Sequence, residues 1–175
     1  IEYLKWIPVW YETLWIFYNR NYVKSDNLKN IASLNDFLEK LKWSKYSGLI
    51  PIAIWNGTTV YNSSDIITQF FMLEEWVKWL SNLNSNVLKI WLTSYLLYWD
   101  LDWYNKFNSR YAELRNLWKD SLYLFSRWET FMVVGYPSMI NKIKENGFSK
   151  IYLLATPFPH YSSWKWKTLV NYNYF

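Results

Sequence analysis

The chain has 175 residues, a formal net charge of +5, 51% hydrophobic residues, no cysteine and one histidine, His160. That length suits a single domain with a sizeable core. Without cysteine there is no disulfide framework, thiol nucleophile or thiolate metal site, and one histidine leaves little for a histidine-ligated centre, so neither a metal nor a cofactor is expected.

Taken in chain order, apolar runs of strand length alternate with stretches of helical period. TLWIFYN (13–19) is β-branched and aromatic between polar residues, the pattern of a buried strand. In SLNDFLEKLKWSKYSG, Leu34, Phe37, Leu38 and Leu41 recur at helical spacing, and Gly48 stands where a C-terminal cap belongs. LIPIAIW (49–55) predicts a second strand. SSDIITQFFMLEEWVKWL predicts a helix capped by Ser63 or Ser64, with Ile66, Ile67, Phe70, Leu73, Val77 and Leu80 on one face.

After a polar junction, SNLNSN (81–86), the order repeats. YAELRNLWKDSLYLFSRW predicts a helix with Leu114, Leu117, Leu122 and Phe125 inward, TFMVVGYP a strand, SMINKIKENGF a helix ended at Gly147, and KIYLLAT another strand. Two strand-helix-strand halves, about 1–82 and 83–175, predict one α/β domain over 1–175. Its expected form is a Rossmann-like three-layer fold with a mainly parallel sheet (13–19, 49–55, 131–135, 150–155) flanked by helices.

No uninterrupted apolar run reaches the length of about 18 residues that a membrane span requires, so no span is expected. Residue 1 is not Met and no signal or transit pattern follows it, so targeting is not legible there. Charge is uneven: residues 1–82 balance 8 basic against 8 acidic residues, whereas 83–175 carry 11 against 6. Residues 140–175 hold five lysines against Glu145 alone, a local positive potential suited to phosphates or an ordinary solvated face.

Several short patterns bear on chemistry. Asn56-Gly57 between two apolar runs signals a hairpin or a strand-end loop. VVGYPSM places Gly135 and Pro137 between strand and helix, where nucleotide folds carry phosphate loops, although one glycine also suits a plain turn. Asp100 and Asp102 could share a cation or sit as solvated turn groups, and His160 lacks the nucleophile pattern of a catalytic triad. The interleaved Trp164, Lys165, Trp166 and Lys167 suit nucleic acid better, because lysines neutralise phosphates and indoles stack on exposed bases. In an edge strand the same residues would alternate, sending both indoles to one face and both lysines to the other.

The sequence holds 17 Asn, 16 Tyr and 15 Lys, residues with A/T-rich codons, together with 14 Trp. That combination suggests a code in which UGA is also read as Trp, and hence a mitochondrial gene.

The stretch RWETFMVVGYPSMINKIKENGFSKIYLLATPFPHYSSWKWKTLVNY resembles the middle of the universal small-subunit ribosomal protein S-two family. Val134 and Gly135 match its strand end, and Trp164, Thr168, Leu169 and Asn171 match its Trp and Thr-Leu-Thr-Asn segment, without that segment's glycine pair. IWLTSYLLYWDLDWYNKFNSRYAELRNLWKDSLYLF is similar to the family's first segment without its histidines. IPVWYETLWIFYN, LIPIAIWNGT and YNSSDIITQFF resemble its later one through Ile50, Pro51, Ile54 and Asp65. The segments stand in swapped order, as in a circular permutant.

The resemblance implies a non-enzymatic structural component of the mitochondrial small ribosomal subunit, in the matrix. Its expected partners are ribosomal RNA and other small-subunit ribosomal proteins, with no small-molecule substrate. Lys142, Lys144, Lys150, Lys165 and Lys167 are then expected on RNA phosphates, and Trp164 or Trp166 on a base. IPIAIWNGTTVYNSSDII also looks like the hairpin and helix start of glutathione-transferase-like domains, including metaxins of outer-membrane import complexes, which require an all-helical second half.

Overall fold

The aromatic N-terminal run divides into two strands at Leu14, β1 (Pro8–Thr13) and β2 (Trp15–Asn19), in a computed structural model that describes residues 8–54, 58–66, 69, 101–159 and 170–174. Leu14 is fully buried and its carbonyl accepts a hydrogen bond from the Phe158 N–H at 3.0 Å. β1 pairs antiparallel with β6 (Val170–Tyr174), from Pro8 opposite Tyr174 to Thr13 opposite Val170. The end of the chain is thus an edge partner of its beginning.

A second sheet holds β3 (Ile50–Ala53), β4 (Thr130–Gly135), β2 and β5 (Leu153–Pro157) in the order β3-β4-β2-β5, so strands of both sequence halves share it. Only β3 and β4 are parallel, with Ile50 opposite Thr130 and Ile52 opposite Met132. β2 runs antiparallel to both neighbours, Trp15 lying opposite Gly135 on one side and Pro157 on the other. The fold is therefore mixed α/β with a mostly antiparallel sheet, which corrects the expectation of a mainly parallel one. β3 runs parallel to β4 and β2 antiparallel to it, so the helix joining β2 and β3 links strands of opposite direction. β4 and β5 do run the same way, as their strand-helix-strand unit requires, but β2 lies between them.

Helix α1 (Ile31–Lys42) starts where the Asn30 side chain accepts a hydrogen bond from the Ser33 N–H at 2.8 Å, an N-cap that satisfies one of the helix's orphan donors. Its buried stripe is Ile31, Leu34, Phe37 and Leu41, with Leu38 partly buried beside it. The helix ends at Trp43, and Ser44 donates to the Leu41 carbonyl through both N–H (3.1 Å) and Oγ (2.9 Å), so Gly48 is a loop residue and not the cap. Residues 63–66 turn helically with Ile66 N–H on the Asn62 carbonyl at 3.0 Å, which puts Ser63 and Ser64 inside the turn. Ile67, Phe70, Leu73, Val77 and Leu80 lie outside the described residues.

The single helix expected over 111–128 is two, α2 (Leu101–Asn116) and α3 (Ser121–Ser126). Leu114, Leu122 and Phe125 are buried as expected, but Leu117 is half exposed because the chain leaves α2 at that residue. Asp120 restarts helical structure by accepting from the Leu122 N–H at 2.9 Å.

Helices α2, α3 and α4 (Met139–Glu145) end alike. In each, one residue takes a positive φ, at Trp118 (55°), Trp128 (66°) and Gly147 (87°), and the following N–H reaches back five residues. Those bonds run from Lys119 to Leu114 (2.9 Å), from Glu129 to Leu124 (2.9 Å) and from Phe148 to Ile143 (3.3 Å). This is the Schellman closure, in which the left-handed position usually belongs to glycine.

Every residue of β4 is buried, and Phe131 near its start packs beside Tyr22 (ring centroids 4.6 Å apart) and edge-on to Tyr46 (5.7 Å). Phe125 of α3 stacks on Phe148 at 4.3 Å and 12°. At the head of β4, the Glu129 carboxylate receives Arg110 Nε at 2.7 Å and Arg127 Nε at 2.8 Å, tying α2 to the strand. Burial works against ionisation of Glu129, but the two arginines outweigh it and hold its carboxyl below the usual range.

Candidate nucleic-acid interface

The turn from β4 into α4 is where a phosphate loop would lie. There the Glu12 carboxylate accepts from the Ser138 N–H at 2.9 Å and from its Oγ at 3.1 Å, so an internal anion already holds the donors a phosphate would use. Gly135 serves packing: a Cβ there would stand 2.5 Å from the Met139 sulfur. Nothing in this turn favours a nucleotide.

Beside it lies a polar cluster. The buried Tyr136 hydroxyl donates to Asp65 Oδ2 at 3.0 Å, and Asn62 Nδ2 approaches the same oxygen at 3.4 Å. Burial first, and then the adjacent Asp65 carboxylate, push the Tyr136 pKa well up, so the hydroxyl stays a neutral donor. The Tyr61 N–H approaches Ser121 Oγ at 3.4 Å, which brings the segment near residue 60 onto the start of α3.

Of the lysines expected on RNA, Lys142 is exposed on α4 and its Nζ lies 4.3 Å from the centre of the Tyr61 ring, donating to the Tyr61 hydroxyl. Lys144 is partly buried. Two residues apart on a helix, the two point about 200° apart round its axis, so they form no single stripe. Lys150 is exposed in the turn before β5. Lys165, Lys167, Trp164 and Trp166 lie outside the described residues, as do His160, Asp100 and Asn56-Gly57.

The second half has another exposed cationic and aromatic group, which the reading of 164–167 passed over. A surface cleft of about 770 Å³ is lined by Thr58, Thr59, Arg115, Asn116, Trp118, Lys119 and Asp120. Trp118 is 95% exposed, and Arg115, Asn116 and Lys119 are exposed around it. Its signal in the sequence is RNLWKD, the same cation-aromatic interleaving as WKWK, hidden inside what scans as one continuous helix.

Three acidic residues of this half are engaged within the chain. Glu113 pairs with Arg110, Glu129 with Arg110 and Arg127, and Asp120 caps α3. Arg115, Lys119, Lys142 and Lys150 are exposed, with Glu145 also exposed between Lys144 and Lys150 in the sequence. Among the described residues there is no cluster of three or more potential metal ligands, and no helix is long and apolar enough to cross a membrane. No family model matches the chain, and no curated protein matches its sequence.

Proposed function

We propose that this chain is a non-enzymatic, RNA-bound component of the mitochondrial small ribosomal subunit, contacting ribosomal RNA and neighbouring small-subunit proteins. The observation that carries the reading is electrostatic. Glu113 and Glu129 pair with Arg110 and Arg127 and Asp120 caps α3, while Arg115, Lys119, Lys142 and Lys150 stay exposed. Such a surface binds phosphates without reading sequence, because an ammonium is a flexible point charge. The codon-biased, Trp-rich composition supports the mitochondrial setting.

A Rossmann-like three-layer stacking belongs to the same proposal and is supported by the burial of every β4 residue, which requires cover on both faces. The metaxin-type alternative needs an all-helical second half, and with β4 and β5 in that half no observation favours it.

The reading is tested by the salt dependence of binding to small-subunit ribosomal RNA. The triple variant Lys142→Ala, Lys144→Ala, Lys150→Ala is expected to lower the slope of log affinity against log salt by up to about 2 to 3, from roughly 0.7–0.9 per phosphate contact. A wild-type slope in the triple variant would remove these lysines from the interface.

A further inference from the structure

The three matching helix ends form an internal comparison. A left-handed residue with a side chain is strained, because its Cβ crowds the following carbonyl, and glycine avoids this. Gly147 is the ordinary solution. Trp128 offsets its strain by packing: its indole meets Tyr152 edge-on at 5.1 Å and Tyr22 at 6.0 Å, and tilts over Phe148 at 6.3 Å. Trp118 adopts the same conformation with 95% of its surface exposed and no ring contact among the described residues. The largest side chain therefore sits in a strained position with nothing in the described chain to repay it. Strain of this kind concentrates at ligand-binding positions.

What surrounds Trp118 identifies the ligand. Arg115 in the last turn of α2 and Lys119 next in sequence flank the indole, with Thr58 and Asn116 on the cleft rim. Asp120, the one acid among the described residues that line the cleft, has its carboxylate turned onto the Leu122 N–H. Lys119 Nζ lies 5.6 Å from the Tyr123 ring of α3. Next to the half-exposed Leu117, the indole stands between two cations, which matches a base between two phosphates.

We propose that Trp118 is a stacking platform for a base of single-stranded RNA, with Arg115 and Lys119 on the adjoining phosphates. The proposal rests on the RNA-bound reading for the presence of RNA, but uses residues that the lysine triple variant leaves intact.

The test is fluorescence anisotropy of the full chain with a labelled single-stranded oligouridine, with a duplex of equal length alongside. Trp118→Gly is expected to weaken single-strand binding roughly 5- to 150-fold, the range for loss of one stacked base, while melting at or above the wild-type temperature. Trp118→Phe should retain most of the affinity. Arg115→Ala with Lys119→Ala should lower the single-strand salt slope by about 1.4. Wild-type single-strand affinity in Trp118→Gly overturns the proposal, whatever the lysine triple variant does, and that includes the case where a protein partner covers Trp118. Equal losses on single strand and duplex also overturn it, since a duplex offers no free base face. Loss confined to the single strand, with an unchanged slope in the lysine triple variant, leaves this site standing and removes only the other.

Discussion

Phe125→Ala is expected to cost roughly 3–5 kcal/mol of folding stability, the range for truncating a fully buried aromatic ring. Phe125 is fully buried on the short helix α3, which packs against β4, and its ring stacks on Phe148 at 4.3 Å. Truncation removes the transfer energy of the ring and leaves a cavity whose walls, α3 and the segment after α4, are each pinned by a Schellman closure and cannot collapse freely. At about 2.1 cal/mol/K of unfolding entropy per residue, the melting temperature of the chain should fall by about 8–14 °C. Trp43, at 89% exposed, is the control, and its alanine variant should stay within about 0.5 kcal/mol of wild type. A Phe125→Ala loss below about 1 kcal/mol, measured by denaturant titration, would mean that α3 does not close this core.

Trp128→Gly and Trp118→Gly are expected to move stability in opposite directions although both remove an indole from a left-handed position. At 128 the gain from relieved strain, about 1 kcal/mol, is smaller than the lost packing. A fully buried Trp is worth roughly 3–5 kcal/mol, and this half-buried one about 2–3. The net result is a loss of about 1–2 kcal/mol. At 118 there is no packing to lose, so the variant should be neutral or up to about 1 kcal/mol more stable, glycine's greater freedom in the unfolded chain taking back part of the gain. Thermal melts of the two variants side by side decide it. Equal destabilisation would show that Trp118 is packed, removing the asymmetry on which its assignment as an RNA contact stands.

β1 (PVWYET) was not read as a strand, but β2, β3, β4 and β5 were legible because each is an apolar, β-branched or aromatic run between polar residues, as in TFMVVG and IPIA. Their directions were not. A strand buried on both faces has no alternation to distinguish a parallel from an antiparallel neighbour, and β2 is such a strand. Alternation of strands and helices therefore suggested parallel crossovers, which holds for β4 and β5 but not for β2 and β3, which run in opposite directions. The boundary at Leu14 was hidden for the same reason: one apolar residue separates two strands that belong to different sheets.

The break after α2 was masked because Leu114, Leu117, Leu122 and Phe125 keep an approximately helical spacing across it, with no glycine or proline to mark the end. Asp120-Ser121 was the available signal, an N-cap followed by an apolar run. The same break concealed the candidate site, since Trp118 scanned as helix surface and is instead displayed from a left-handed turn. Gly147, by contrast, was legible, because a glycine just past a periodic segment has one common use.

The central claim, that this chain works as part of a ribonucleoprotein, is tested most directly by sedimentation of the native protein on a gradient. The account expects comigration with the mitochondrial small ribosomal subunit at low salt, with release as ionic strength rises through screening and counterion competition at the lysines and arginines. Recovery only in outer-membrane fractions, with none in the subunit peak at any salt concentration, would contradict it.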